Sequence, residues 1–427
     1  GQVVFTMLGS DPNVVVTIST PCGANRYWVL GSGNWTDTAH WASVSGGAFG
    51  CAVPTSANGV VFDANSGSGT ATVNGNASMA SLNTTGSTIG TIAVGTFDFA
   101  VSGNVALAAG AVTMGASTLN GFTVTGNLTL SGSAFISMSG ASKGSVTGNV
   151  NVSSASAYIA FGSGSWTVSG SWTNASTNTS WAAGTATVTF NSSGNQSMTF
   201  AGSNLPANEF FAVIFNSGAS TVTYTMNARA LNAGAVTVRG GTGITTLSTS
   251  GSNLALTAAT LTVAGGGFLT ANGSTLTVTS MDTSAGTFAT GASTVVVNAS
   301  GGTISVPQVL FNFTVTASVA TTVASNLTWS GTLTLTSSTP TFNGDLTSSG
   351  TSANTLFGSA VVSIAGSWDT SSVTTGTFTS ASSTVTFTGA ARTVRTSGSQ
   401  SFAALAFTGS TSQLSPLTAT GNLTIAA

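Results

Sequence analysis

The sequence Val124-Thr-Gly126-Asn-Leu-Thr-Leu130 decides the fold of this chain, because its pattern returns at a nearly fixed distance. The pattern is an apolar residue, a hydroxyl residue, a glycine, a small polar residue and a second apolar residue. Its glycines are Gly103, Gly126, Gly148 and Gly170 in the first half of the chain, and Gly344, Gly366 and Gly421 near the C-terminus. A period of about 22 residues indicates a repeat architecture rather than a series of unrelated domains.

Within each repeat, apolar residues alternate with threonine, as in Thr187-Val-Thr-Phe190 and Thr275-Leu-Thr-Val278. This alternation is typical of half-buried strands, and the Ser-Gly and Asn-Gly pairs between them are turn formers. Helix formers are scarce, since Glu209 is the one glutamate and Lys143 the one lysine. The sequence therefore predicts an all-β fold, a β-solenoid (β-helix) of about 22-residue coils. Residues 66–427 would form a rod of about 16 coils and about 80 Å.

A longer cassette overlies the short repeat. It begins with Trp172-Thr-Asn174, Met281-Asp-Thr283 and Trp368-Asp-Thr370, and each start is followed by an alternating strand and a phenylalanine-rich strand. We interpret the large aromatic residues of these cassettes as core side chains that fill coils otherwise lined by valine and leucine.

Residues 1–65 lie outside the period and predict a small N-terminal β module or cap. This region holds both cysteines, and an even cysteine count in such a chain predicts a Cys22–Cys51 disulfide formed in an oxidising compartment. Two buried free thiols are the alternative. The apolar run Val14, Val15, Val16 and Ile18 is a candidate assembly strand, which would pair within the cap or with the free edge of another subunit. The last repeat shows no polar terminal unit, so we expect its end to meet a partner.

The composition excludes several classes of function. Charged residues make up 3% of the chain, and six basic against eight acidic residues give a net charge of −2. Such a chain lacks the positive field that attracts nucleic acid or anionic lipid. No apolar run reaches the length of a membrane-spanning helix. The sequence starts at Gly1 without a leader, so we expect export with a signal that was cleaved or left out.

Candidate catalytic residues are few and scattered. Asp345 and Asp369 are 24 positions apart, close to one coil, but a glycosidase needs two carboxylates that face one bond, and we read this pair as surface or turn residues. Asp37 and His40 lack the further ligands of a metal site. We predict no catalytic, cofactor-binding or metal site. Trp35 and Trp41 are candidate contacts for surface glycans, with burial in the core as the alternative.

The repeats Gly-Asn-Leu-Thr-Leu, Ser-Thr-Val-Thr-Phe and Phe-x-x-Leu-x-Phe resemble the Gly/Ser/Thr-rich β-solenoid repeats of bacterial extracellular surface and adhesin-like proteins. Similar repeats occur in phage tail-fibre-like proteins. The resemblance covers nearly the whole chain and implies a scaffold outside the cell, with no catalytic residue carried over. We therefore expect a secreted structural rod, a subunit of a self-assembling surface filament, sheath or adhesin. The alternatives are a tail fibre or other receptor-binding rod that contacts surface glycans and, more remotely, a polysaccharide-acting enzyme.

Overall fold

The computed structural model describes residues 22–116, 120–202, 209–249 and 252–426, and it is all-β. The predicted β-solenoid is confirmed, with about 16 stacked coils spaced by about 22 residues. The one helical segment among the described residues is a short 3₁₀ turn, Thr38–His40. Within the same residues there is no helix long and apolar enough to cross a bilayer. The candidate assembly strand Val14, Val15, Val16 and Ile18 lies outside the described residues.

The described residues form 49 short strands, numbered along the chain. The first strands are β1 (Asn25–Trp28), β2 (Gly33–Asn34), β3 (Trp41–Ala42), β4 (Gly59–Val61), β5 (Gly69–Thr72), β6 (Ala77–Met79), β7 (Ser81–Asn83), β8 (Ile89–Gly95), β9 (Phe99–Val101), β10 (Val105–Leu107), β11 (Ala111–Met114), β12 (Phe122–Val124), β13 (Leu128–Leu130), β14 (Phe135–Met138), β15 (Gly144–Val146), β16 (Val150–Val152), β17 (Tyr158–Ala160), β18 (Ser165–Val168) and β19 (Trp172–Asn174).

The middle of the chain includes the longest strands, of eight residues. The strands of this part are β20 (Thr187–Asn191), β21 (Gln196–Phe200), β22 (Phe210–Asn216), β23 (Val222–Asn227), β24 (Leu231–Val238), β25 (Thr245–Ser248), β26 (Leu256–Val263), β27 (Gly267–Thr270), β28 (Thr275–Asp282), β29 (Thr287–Ala289), β30 (Thr294–Val297), β31 (Gly302–Ser305), β32 (Val309–Leu310), β33 (Asn312–Val315), β34 (Thr321–Val323) and β35 (Leu327–Trp329).

The remaining strands are again short. They are β36 (Thr332–Leu335), β37 (Thr341–Phe342), β38 (Leu346–Ser348), β39 (Asn354–Phe357), β40 (Val361–Ile364), β41 (Trp368–Thr370), β42 (Phe378–Thr379), β43 (Thr384–Phe387), β44 (Arg392–Thr396), β45 (Gln400–Phe402), β46 (Ala404–Phe407), β47 (Thr411–Gln413), β48 (Leu417–Ala419) and β49 (Leu423–Ile425).

Strands of successive coils pair in parallel, and each coil of the N-terminal half contributes one strand to each of three faces. In the N-terminal half the faces are the ladders β4-β7-β10-β13-β16-β19, β5-β8-β11-β14-β17 and β6-β9-β12-β15-β18-β20. In the middle of the rod the strands form two ladders, β19-β21-β23-β25-β27-β29 and β20-β22-β24-β26-β28. The two halves of the long strand β28 then pair with different strands. Leu276 pairs with Val295 of β30, and Met281 pairs with Ile304 of β31, so two ladders begin here. The third C-terminal ladder is β32-β35-β38-β41-β44-β47.

The repeated Gly-Asn pair forms one corner of three successive coils in the first half of the rod. The side-chain Oδ1 of Asn104 accepts the backbone N–H of Asn127 at 2.8 Å, and the Oδ1 of Asn127 accepts that of Asn149 at 2.8 Å. Asn149 continues the series by accepting the N–H of Ser171. The corner breaks the backbone ladder, so these side chains supply the hydrogen bonds that the backbone loses there.

The glycine before each corner residue is required by close approach. A Cβ built on Gly148 would lie 2.4 Å from the carbonyl oxygen of Gly126, and one on Gly170 would lie 2.4 Å from that of Gly148. The same corner returns in the C-terminal half, where Asn326 Oδ1 accepts the N–H of Asp345 at 2.9 Å. The repeat that predicted the fold is therefore the repeat of one stacking corner.

The interior of the rod is apolar and continuous. Inward residues such as Val105, Leu128, Val150 and Trp172 stack in register on neighbouring coils and are at most 1% exposed. Their outward neighbours on the same strands, such as Thr129, are half-exposed polar residues. All eight tryptophans are buried, which confirms the interpretation of these residues as core side chains. The interpretation is wrong for two of the cassette phenylalanines, since Phe211 and Phe311 are 46% and 38% exposed.

The N-terminal region joins the same stack. Strand β1 pairs in parallel with β4, and β4 pairs with β7 through Val60 and Leu82, so the ladder crosses residue 65 without a break. Strand β3 runs antiparallel along the outer edge of β1 and covers it. The predicted disulfide is present, with Cys22 and Cys51 bonded and their Cα atoms 5.8 Å apart. It ties the start of β1 to the segment that follows β3.

The corner makes a direct prediction about stability. Gly148→Ala should lower the free energy of unfolding by about 1 to 3 kcal/mol, because the new methyl group overlaps the coil below. Gly194→Ala is the matched control, since a Cβ there meets nothing within 4 Å. Chemical denaturation of both variants measures the difference. Equal stability of the two variants would show that the corner can open without cost.

Candidate functional site

The two candidate catalytic acids, Asp345 and Asp369, each accept a hydrogen bond from a nearby backbone N–H. Asp345 stands at the asparagine position of the corner, and its Oδ1 accepts the N–H of Ser367 at 2.7 Å. Asp369 pairs in register with Thr347 and accepts the N–H of Ser371 at 2.9 Å. The two aspartates thus accept hydrogen bonds in two different turns.

The Asp37 and His40 pair belongs to the 3₁₀ turn of the N-terminal region. Asp37 Oδ1 accepts the N–H of Ala39 at 2.9 Å and caps the turn. The His40 ring is buried, with Nδ1 2.8 Å from the carbonyl oxygen of Val29 and its plane stacked on Trp28 at 4.7 Å. Both side chains have structural partners. Among the described residues there is also no group of three or more His, Cys, Asp and Glu side chains suited to a metal ion.

Trp35 and Trp41 are not surface platforms. Trp35 is 2% exposed and Trp41 is 0% exposed, and their rings meet edge to face at 4.8 Å. The Trp41 Nε1 donates a hydrogen bond of 2.8 Å to the carbonyl oxygen of Trp35. This corrects the prediction that these two rings contact glycans: the Gly-Asn-Trp segment folds inward and closes the first coil with Trp28 and Phe62.

A set of buried polar pairs went unrecognised in the sequence. The third residue of each cassette start bonds to an amide or carboxyl side chain of a later coil. The pairs are Asn174 with Glu209, Thr283 with Gln308, and Thr370 with Gln400. The first members are at most 1% exposed. Each pair lies where the chain makes an excursion after the cassette start, and its two buried side chains satisfy each other with a hydrogen bond.

The first cassette differs from the other two because its second member is an acid. Glu209 is 3% exposed, and its Oε1 accepts a hydrogen bond of 2.7 Å from Asn174. Its Oε2 lies 3.7 Å from the guanidinium of Arg229, the one ion pair among the described residues. The Trp181 Nε1 donates to the backbone carbonyl of Glu209 at 3.1 Å.

Burial raises the pKa of Glu209 from its usual 4.5 to about 7, against the opposing effects of the Asn174 hydrogen bond and the Arg229 charge. A carboxyl group with a pKa near 7 can both hold and release a proton at neutral pH, which suits acid–base chemistry. Here the carboxyl group is enclosed by Asn174 and the tryptophans, and its one ion-pair partner among the described residues is Arg229. These contacts tie the excursion of the first cassette to the neighbouring coils.

The chain was compared with models of protein families, with curated protein sequences and with solved structures, and none of the three comparisons gives a match. The fold and these sites therefore stand on the geometry alone.

The raised pKa of Glu209 predicts a pH-dependent stability. The folded state holds the proton more tightly than the unfolded state, so this contribution is fully present below pH 4.5 and is lost as the pH rises through 7. The free energy of unfolding should fall by about 3 kcal/mol as the pH rises between these two values. Hydrogen–deuterium exchange of residues 209–216 at pH 5 and pH 8, corrected for the intrinsic exchange rate, measures it.

Glu209→Gln is the matched variant, because the chain itself uses glutamine at this position in the other two cassettes. The variant should remove most of the pH dependence and equal or exceed the parent stability at pH 8. An unchanged pH dependence in the variant would assign the effect to other groups.

Proposed function

We propose that this protein is an extracellular structural rod, a subunit of a surface filament, sheath or adhesin, and that it performs no catalysis. The observation that carries the proposal is the set of parallel ladders that together span β1 to β49 around one apolar core. Backbone hydrogen bonds along the rod axis resist both extension and bending, so such a stack is a stiff spacer.

Two further features support a place outside the cell. The Cys22–Cys51 disulfide is the kind of bond that persists in an oxidising compartment. The scarcity of lysine and arginine leaves few cleavage sites for proteases that cut beside basic residues. Both features suit a protein that must last in an unprotected environment.

Assembly is the second part of the proposal. The outer edge of β49 is unpaired among the described residues, and its Leu423 and Ile425 are 57% and 73% exposed. These side chains continue inward positions of the stack, since they pair with Leu405 and Phe407 of β46. A strand placed on this edge would bury them. We propose that the chain assembles with copies of itself by strand addition of this kind, either end to end or by donation of the Val14–Ile18 segment.

Negative-stain electron microscopy over a concentration series tests the assembly proposal. We expect uniform filaments that lengthen with concentration. Ile425→Lys should abolish them, because a charge would be buried at the joint. Thr424→Lys is the control, since it adds the same charge to the outward side of the same strand.

Discrete rods of fixed length at every concentration would contradict self-polymerisation. That result would favour the alternative, a receptor-binding rod, and closed trimers in the same images would favour it further.

A further inference from the structure

The third cassette contains a cavity. Its volume is about 290 Å³, and it opens between the excursion after β41 and the segment that leads into β45. Thr355, Thr370 and Gln400 line its inner side, Phe378 lies at its wall, and Ser399 stands at its rim. Gln400 and Thr370 are the buried polar pair of this cassette.

Comparison with the first cassette shows why the space is open. There, Trp181 meets Trp172 at 6.2 Å with an interplanar angle of 87°, and it meets Phe161 at 5.7 Å. In the third cassette, Phe378 meets Trp368 at 6.2 Å and 81°, and it meets Phe357 at 5.9 Å. Phe378 thus takes the place of Trp181 against equivalent neighbours.

The exchange of a tryptophan for a phenylalanine removes more than volume. Trp181 is 1% exposed, and its indole N–H is bonded to the carbonyl of Glu209. Phe378 is half-exposed and has no polar atom to offer. The third cassette is left with a partly open space beside a buried amide, where the first has a core filled by Trp181.

The polar groups of the cavity are fixed in position. Gln400 is 9% exposed, its Nε2 donates to Thr370 Oγ1 at 2.8 Å, and its Oε1 accepts from Trp368 Nε1 at 3.3 Å. These two bonds leave one amide hydrogen and one lone pair of Gln400 without a partner among the described residues. Thr355, 3% exposed, brings a hydroxyl group to the same wall. A preset amide and hydroxyl can bind a ligand without a large loss of side-chain freedom.

We propose that this cavity binds one neutral sugar ring. All the side chains that line it are uncharged, so it offers no ion pair to an anionic or cationic ligand. Hydroxyl and amide groups match the alternating donors and acceptors of a pyranose, and the Phe378 ring supplies an apolar contact for its C–H face. The volume is at the small end of ligand pockets and suits a single ring rather than a nucleotide or a lipid chain. This proposal is independent of how the rods assemble.

Saturation-transfer NMR of the full chain tests it, with glucose, galactose, mannose and N-acetylglucosamine as separate probes at about 10 mM. We expect saturable binding of at least one sugar with a dissociation constant of about 0.1 to 10 mM. Maltotriose and chitotriose, run in the same way, separate two sources of the ring. Tighter binding of a trisaccharide assigns the site to the end of a glycan, and equal binding assigns it to a free sugar.

Phe378→Trp is the decisive variant, because it rebuilds the filled arrangement of the first cassette. It should weaken sugar binding at least about tenfold while the thermal unfolding midpoint stays equal or rises. Ser399→Trp blocks the exposed rim without entering the core and should have the same effect on binding. Val361→Trp, at a 54% exposed position away from the cavity, is the control and should bind as the parent does.

Two results would overturn the proposal. One is the absence of saturable binding for all of the sugars tested. The other is binding that survives unchanged in both Phe378→Trp and Ser399→Trp, since the sugar would then sit elsewhere on the rod.

Discussion

The structure depends on the hydrogen bond that a corner side chain makes to the backbone of the next coil. In a parallel stack the strands pair through their backbones, but every coil must also turn, and the turn breaks the pairing. An asparagine or aspartate at the corner replaces the missing acceptor, as Asn127 does for Asn149 and Asp345 does for Ser367. The glycine beside it brings two coils close enough for that bond. Because each corner stands on the corner below, the geometry repeats along the rod.

Departures from the regular coil are concentrated in the cassettes. After each cassette start the chain leaves the ladder for several residues, and a wider cross-section must then be filled. Bulky rings do this, as Trp172, Trp181 and Phe210 show by packing within 6.2 Å of one another or of shared neighbours. The buried polar pair binds the excursion where backbone pairing stops. Aromatic volume and buried polarity are thus two consequences of one irregularity.

The period and the strand alternation were predictable, because both rest on spacing along the chain, and the disulfide was predictable from the even cysteine count. The role of Asp345 was also within reach, since it stands where the repeat elsewhere has asparagine. The polar pairs were not, because their partners are separated by 35, 25 and 30 positions and follow no period. The burial of Trp35 and Trp41 could not be read from their spacing either. An aromatic residue beside a turn is compatible with either face of a strand, and the antiparallel strand β3 decides the question.

A stack of this kind separates stability from local chemistry. Each coil contacts mainly its two neighbours, so a change in one cassette alters the stack over a few coils and leaves the rest in place. The three cassettes illustrate the point. The same site holds a carboxyl group with a pKa of about 7 in the first cassette and a neutral amide in the other two. The first is sealed by Trp181, whereas the third, with Phe378, is open. A rod whose corners fix the backbone can therefore vary its interior side chains and acquire a binding cavity without a new fold.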